Sequence, residues 1–142
     1  MHRAVLDTNV FVSALNWPLG KPRKIYDRWL SGEFQLVTST EILSELMRIL
    51  RDEFGWLDEE AYEVYNLIGQ VAEIVRPEER IEVVKEDPQD NKFLECAVVS
   101  GAKHIVTGDD HLLKLGRYKD IEIILPDRFL KSLAEENIAE EK

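Results

Sequence analysis

The sequence predicts an α/β fold in which a central parallel sheet of about five strands is flanked by helices. Short apolar runs alternate with amphipathic segments along the chain, which is the pattern of strands connected by helices. Right-handed crossovers place such helices on both faces of a parallel sheet. With 142 residues, 44% of them hydrophobic, the chain can bury one ordinary core. No repeat or linker-like stretch divides it, so we expect a single domain over residues 1–134 and a frayed, acidic tail over residues 135–142.

The first half of the chain predicts two strands and three helices. A stop at Ser31-Gly32 separates a helix from the strand that follows it, and Gly55 separates two longer amphipathic helices. In order, the expected elements are a strand at Ala4–Leu6, a helix at Lys24–Leu30, a strand at Phe34–Val37, and helices at Thr40–Arg51 and Glu59–Gln70. Two prolines and Gly20 make Trp17–Lys24 the expected flexible loop.

The second half continues the alternation and closes with a helix. In order, the expected elements are a strand near Val71–Val75, a polar loop at Pro77–Glu86, a helix at Pro88–Val99, strands at Ile105–Thr107 and Ile121–Leu125, and a helix at Asp127–Ala134. Strands that alternate with helices in this way predict a sheet that is parallel and covered on both faces.

Charge and composition narrow the function. The chain carries 28 acidic and 18 basic residues, a formal net charge of −10, which argues against a protein that coats nucleic acid through charge alone. A phosphate-bearing substrate stays compatible with this charge if the acids hold metal ions, because bound metal reverses the local sign. No apolar run approaches the roughly 18 residues of a membrane span, and no secretory signal is evident, so we expect a cytoplasmic protein. Cys96, the single cysteine, lies among apolar residues and is expected to be a buried thiol.

Two carboxylates follow apolar strands at distant points of the chain. Asp7 comes directly after Ala4–Leu6, and Asp109 comes after the run that ends at Gly108. Ligands of open α/β sheets bind at the carboxyl ends of the strands, so these two acids can meet there. Each also has a simpler interpretation, because Asp7 can cap a helix and Asp109 can belong to a plain turn.

The helix after the second strand offers two more acids. Thr38 and Glu41 match a capping box, which gives Glu41 a structural role. Glu45 lies at the edge of the apolar face of this helix and can reach the end of the sheet. A surface ion pair with Arg48 or Arg51 is the alternative for Glu45.

A further acidic pair opens the helix near residue 88. Asp87 is placed as an N-cap before Pro88, and Asp90 falls in the first turn, where the helix dipole favours a negative charge in any case. If these acids and the earlier ones converge, cations must neutralise them, and oxygen ligands suit Mg²⁺ or Mn²⁺. His111, close to Asp109, is a weaker candidate ligand, and His104 at a strand start is expected in the core or at an edge.

Four segments carry polar motifs in a fixed order. They are Val5–Val10 (VLDTNV), Ser39–Leu46 (STEILSEL), Asp87–Leu94 (DPQDNKFL) and Val106–Asp109 (VTGD). In this order and spacing they resemble the PIN-domain nucleases, in particular the prokaryotic, VapC-like toxin components of toxin–antitoxin pairs. The resemblance covers the chain from Arg3 to about Leu130 and implies a three-layer α/β sandwich.

The resemblance also implies a site, an activity and partners. Carried over residue by residue, the catalytic and metal-binding acids of that family fall on Asp7, Glu45, Asp90 and Asp109, with Asn9 and Thr107 as supports of these carboxylates. The implied activity is Mg²⁺- or Mn²⁺-dependent cleavage of single-stranded RNA by metal-activated water. The implied partners are a cognate antitoxin and a second copy of the chain in a homodimer.

Two basic clusters could guide an RNA strand toward such a site. They are Lys21, Arg23 and Lys24 in the early loop, and Lys114, Arg117 and Lys119 after Asp109. Each is equally explained as a solvated surface. Trp17 could stack on an unpaired base or pack over the core.

Other classes of protein remain as alternatives. An RNA-processing PIN nuclease needs no antitoxin, and a PIN fold without activity could serve as a binding module through the helix at residues 59–70. A phosphoacceptor module would need an acidic pair near the first strand, where this chain has Arg3.

Overall fold

The computed structural model describes residues 1–141, with side chains described to residue 139. This part of the chain contains a six-stranded sheet in the order β3-β2-β1-β4-β6-β5. The strands are β1 (Arg3–Leu6), β2 (Gln35–Ser39), β3 (Glu73–Val75), β4 (His104–Val106), β5 (Arg117–Tyr118) and β6 (Ile121–Ile124). Five of them run parallel, and β5 pairs antiparallel with β6 at one edge.

Helices flank this sheet and connect most of its strands, so the expected α/β architecture is confirmed. They are α1 (Thr8–Asn16), α2 (Lys21–Leu30), α3 (Thr40–Asp52), α4 (Asp58–Val71), α5 (Asn91–Ser100), α6 (Asp110–Leu113) and α7 (Pro126–Glu141), with a 3₁₀ turn at Pro88–Asp90 before α5. The five predicted strands are all present. The sixth, β5, has only two residues, too few to show any periodicity in the sequence.

The predicted flexible loop is shorter than expected. Helix α2 begins at Lys21, three residues before the predicted start, and residues 17–20 alone form the connection. Pro22 is compatible with this position because the first turn of a helix has no internal partner for the amide hydrogen that proline lacks.

The end of the chain also differs from the prediction. Instead of fraying from residue 135, α7 continues to Glu141, and Lys142 lies outside the described residues. Contacts with other elements hold this helix. Glu136 pairs with the amino group of Met1 at 3.1 Å and with His2 at 3.0 Å, and the Asn137 side chain donates a hydrogen bond to Glu33 at 2.9 Å.

The core lies between the central strands and the helices. Cys96 is fully buried in it, and burial raises the pKa of its thiol to about 12, as expected for a structural cysteine. His104 is 8% exposed on β4, in agreement with its predicted core position. Within residues 1–141, no helix is both long enough and apolar enough to cross a lipid bilayer.

The strand order creates a crevice at the centre of the sheet. From β1 the chain moves outward to β2 and β3, and then returns to the other side of β1 with β4. At such a reversal the connections leave neighbouring strands in opposite directions, which opens a space beyond their carboxyl ends. Leu6 lies opposite Val106 in the β1–β4 register, so the residues that follow both strands meet in this crevice.

Candidate active site

Asp7 and Asp109 are joined through the residue that follows β4. The Thr107 hydroxyl donates a 2.6 Å hydrogen bond to Oδ2 of Asp7 and accepts one of 2.9 Å from the backbone N–H of Asp109. The β1–β4 register explains this arrangement, because it places Asp7 beside Thr107. Thr107 is fully buried, so the contact is shielded from water.

Both acids also cap helices. Oδ1 of Asp7 accepts a hydrogen bond from the backbone N–H of Asn9 at 3.1 Å, and Oδ2 of Asp109 accepts one from Leu112 at 3.1 Å. A role as a helix cap and a position in the acidic site are therefore compatible for these residues, since a capping carboxylate can still face the crevice. Asn9 supports Asp7 through its backbone, whereas its own side chain is exposed.

Asp90 enters the crevice from the 3₁₀ turn before α5. It is 9% exposed, and its Oδ2 atom has no hydrogen-bond partner among the described residues. Burial, together with the adjoining Asp109 carboxylate and the charges of Asp87 and Asp7, raises the pKa of Asp90 to about 8. Near neutral pH this carboxyl therefore holds a proton unless a cation replaces it.

Asp7 responds to the same environment. Burial raises its pKa, hydrogen bonds from Thr107 and Asn9 oppose this shift, and the charges of Asp109 and Glu45 add to it. Asp7 is 3% exposed. The fold thus holds several carboxylates close enough to disfavour one another's ionisation.

Glu45 reaches the crevice from α3 and has a partner that the sequence did not suggest. Lys92, 7% exposed at its side chain, donates a 3.0 Å hydrogen bond to Oε2 of Glu45 and one of 2.8 Å to the carbonyl of Gln89. Neither predicted arginine takes this role, and Arg51 pairs with Asp58 instead. Lys92 lies 47 positions after Glu45, and no pattern in the sequence indicates that it is buried beside this acid.

The predicted capping box of α3 is wrong. Strand β2 extends through Ser39, and the Ser39 hydroxyl caps the helix by accepting from the backbone N–H of Ile42 at 3.4 Å. Glu41 is therefore not in the position of the box and pairs with Arg80 at 3.2 Å.

Asp87 and His111 complete the rim of the crevice. Asp87 stands before Pro88 as predicted, but its side chain makes no capping hydrogen bond. One ligand atom each from Asp87, Asp90 and His111 lie within 4.8 Å of one another. From the sequence, Asp87 was predicted only as a helix cap, because the sequence does not indicate that the 3₁₀ turn faces α6.

A cleft of about 460 Å³ opens beside these residues. Its lining includes Asp109 and His111 together with Asn9, Pro22 and Pro126. Of the predicted basic residues, Lys24 and Lys114 have no ion-pair partner within residues 1–139, whereas the other four pair with acids. Trp17 is 54% exposed and contacts Phe54 edge-on, so it packs at the surface rather than over the core.

Comparison with known proteins identifies the family. A model of the PIN domain matches residues 3–111. The uncharacterized protein MJ1680 of Methanocaldococcus jannaschii is 36% identical over 118 residues, which cover 80% of this chain and 74% of that protein.

Solved structures share the fold at low sequence identity. A chain of VapBC2 from Rickettsia felis, crystallised with a promoter DNA fragment, has a TM-score of 0.60 at 15% identity, covering 87% of this chain and 98% of that one. PAE2754 from Pyrobaculum aerophilum has a TM-score of 0.59 at 19% identity, covering 95% and 90%. The family model spans most of the chain, so this protein belongs to the PIN domain family.

Proposed function

We propose that this protein is a Mg²⁺- or Mn²⁺-dependent endoribonuclease that hydrolyses single-stranded RNA. The observation that carries the proposal is the meeting of acids from four distant segments at the central crevice of the sheet. They are Asp7, Glu45, Asp90 and Asp109. Membership of the PIN domain family, in which nucleases are typical, supports hydrolysis as the reaction class.

The chemistry of the donor set fits a divalent cation. Oδ2 of Asp90 is buried without a partner, and burial together with neighbouring carboxylates raises the pKa values of Asp7 and Asp90. Asp7, Asp90 and Asp109 would hold the ion, since carboxylate oxygens suit Mg²⁺ and Mn²⁺. When bound, such an ion supplies Lewis-acid catalysis for cleavage of a phosphodiester.

Apart from the ion, the side chains of the protein would orient the carboxylate ligands and provide a general base. Thr107 and the amide of Asn9 hold both oxygens of Asp7, so this carboxylate does not need to be oriented when substrate arrives. Lys92 holds Oε2 of Glu45, and Oε1 is the atom that would accept a proton from the attacking water.

The cleft beside Asp109 would take the RNA strand. Lys24 and Lys114 are exposed and free of ion pairs within the described side chains, so they are the basic residues that we assign to phosphate contacts. Two such contacts give modest affinity, in keeping with a protein of net charge −10.

We further propose that the nuclease is the cytoplasmic toxin of a toxin–antitoxin pair and forms a homodimer. The likeness to VapBC2 supports an antitoxin partner. A second groove, between α3 and α4, supports a protein interface because it exposes Met47, Tyr62 and Tyr65 away from the acids.

Asp109→Asn tests the proposed activity. Asparagine is as good an N-cap as aspartate, so α6 and the fold should be preserved, while the anionic ligand is lost. We expect Mn²⁺-dependent cleavage of an end-labelled single-stranded RNA to fall by a factor of about 100 or more.

Asp120→Asn is the matched control. Asp120 pairs with Lys103 on the surface at the amino ends of β6 and β4, away from the carboxyl ends where the acids lie, and this substitution should leave cleavage unchanged. A single-stranded DNA of the same sequence tests the preference for RNA. Cleavage by Asp109→Asn at the wild-type rate would show that the assigned acids are not the active site.

A further inference from the structure

Asp87, Asp90 and His111 form a cluster that the proposed reaction does not fully use. A carboxylate oxygen of each aspartate and a ring nitrogen of His111 lie within 4.8 Å of one another. Bonds of about 2.1 Å place opposite ligands of one ion about 4.2 Å apart. The upper limit of these separations exceeds that span by about 0.6 Å, so a small movement of the side chains would bring the three atoms onto a single cation.

Local structure explains why the two aspartates act together. They bracket the 3₁₀ turn Pro88–Asp90, and side chains three positions apart in such a turn lie on the same side. His111 approaches from α6, two residues after Asp109, so the cluster adjoins the first group of acids. Asp90 lies between the cluster and the first group of acids, because the charges of both Asp87 and Asp109 reach its carboxyl.

Two atoms of these side chains lack hydrogen-bond partners. Oδ2 of Asp90 and Nδ1 of His111 are buried and make no hydrogen bond within the described part of the chain. Asp90 as a whole is 9% exposed. A buried polar atom without a hydrogen-bond partner is unfavourable, and a cation bound by both side chains would supply the missing partner.

Charge balance gives an independent argument. The crevice gathers five carboxylates, from Asp7, Glu45, Asp87, Asp90 and Asp109, against the single ammonium of Lys92. One divalent ion would leave two negative charges uncompensated where an RNA phosphate must bind. Two divalent ions would neutralise the group.

We propose that Asp87, Asp90 and His111 hold a second divalent cation, next to the one assigned to Asp7 and Asp109, with Asp90 shared between them. An imidazole nitrogen beside two carboxylates favours Mn²⁺ over Mg²⁺, because Mg²⁺ prefers oxygen ligands alone. This assignment rests on the proposed metal-dependent function and extends it to the number and kind of ions.

Nitrogen coordination gives a direct test. In untagged protein loaded with two equivalents of Mn²⁺, electron spin-echo envelope modulation should show the ¹⁴N coupling of one imidazole. His111→Gln should abolish this coupling and weaken the binding of one of the two ions at least tenfold in equilibrium dialysis. The chain has three histidines, and His2→Gln, far from the crevice, is the matched control that keeps the coupling.

The outcomes separate this inference from the proposed function. Asp7→Asn should lose the other ion and retain the nitrogen coupling. Absence of ¹⁴N coupling in the wild-type protein, or its persistence in His111→Gln, would overturn the second site even if RNA cleavage depends on Asp109. Coupling that disappears in His111→Gln would support the second site even if no RNA is cleaved.

Discussion

At Asp90, the proposed function and the stability of the fold have opposite requirements. The proposed function needs an ionised carboxylate, whereas the stability of the fold favours the protonated form. Its carboxyl is buried beside Asp109, and its pKa is raised to about 8. The folded protein therefore binds this proton more tightly than the unfolded chain does, and the proton stabilises the fold below about pH 4. That contribution is lost as the pH rises through about 8.

Asp90→Asn should stabilise the metal-free protein at alkaline pH. Asparagine keeps the shape and removes the buried charge, so the melting temperature at pH 8.5 should exceed that of the wild type by about 3 °C for each kcal/mol regained. The difference should shrink toward pH 4, where the wild-type carboxyl is neutral. Differential scanning calorimetry in EDTA measures both values.

Glu86→Gln provides the control for this pH series. Glu86 is an exposed acid in the preceding loop, and its substitution should not change the melting temperature in a pH-dependent way. An Asp90→Asn variant that is less stable than the wild type at pH 8.5 would contradict the electrostatic argument.

Only part of the site could be predicted from single residues. Asp7 and Asp109 follow apolar strands, and that position alone suggested that they meet. Lys92 gave no such indication, because its contact with Glu45 depends on how α5 packs against α3. The burial of the Lys92 ammonium can be recognised only once the packing of α5 against α3 is known.

At the level of elements, one irregular segment leads into the crevice, since it ends at Asp87 on the rim. Residues 76–87 have no helix or strand, yet two side chains of α5 hold them in place. The side-chain amide of Asn91 bonds both backbone groups of Val84, at 2.9 and 3.0 Å, and the Glu95 carboxylate accepts from the amide of Ile81 at 2.9 Å. These contacts satisfy backbone groups that would otherwise be buried without partners.

Asn91→Ala should loosen this segment. The substitution leaves the buried N–H and C=O of Val84 unpaired, which should lower the free energy of unfolding by about 1–3 kcal/mol. Amide hydrogen exchange measured by mass spectrometry should show faster exchange in residues 81–87 than in the wild type.

The same change at Asn137 is the control for Asn91→Ala. Asn137 is half-buried on α7 and bonds Glu33, so its loss should cost less and leave exchange in residues 81–87 unaltered. Equal exchange in wild type and Asn91→Ala would show that the buried core residues Ile81 and Val84 hold the segment without Asn91.

Elements were predicted best where periodicity was long. Helices α3 and α4 and the five parallel strands follow from their apolar patterns, with ends within a few residues. The capping box failed because Ser39 and Thr38 are both competent caps, and the β2–β3 pairing extends the strand to Ser39. Local sequence could not decide between them.

On the scale of the whole molecule, the groove between α3 and α4 is the surface that we assign to the proposed homodimer. Tyr62 is 63% exposed and stacks on Tyr65, with ring centroids 6.4 Å apart. The apolar residues of α4 lie on two faces, since Ala61 and Ile68 are buried whereas Tyr62 and Tyr65 face solvent. An ion pair between Arg51 and Asp58 borders the groove.

Tyr62→Glu should disrupt the proposed homodimer. A charge placed in an apolar interface must be desolvated without a partner, so light scattering should report the mass of one chain for the variant and of two for the wild type. Glu63→Gln, on the same helix, should not change the mass. A wild-type protein that is monomeric at high micromolar concentration would exclude the dimer.

The order of strands was beyond the reach of the sequence. Alternation predicted a parallel sheet, but it did not say that β4 returns to the far side of β1. That placement depends on how the whole chain packs its core, and it is what brings Asp7 and Thr107, 100 positions apart, into contact.

The central position of β4 bears on when the candidate site can assemble during synthesis. During synthesis Asp7 leaves the ribosome early, whereas β4 and the neighbouring β6 that supports it emerge near the end. Until those last strands insert, the growing polypeptide has no assembled pocket. The proposed cleavage would therefore begin only after β4 has joined β1, and shorter translation products would be inactive.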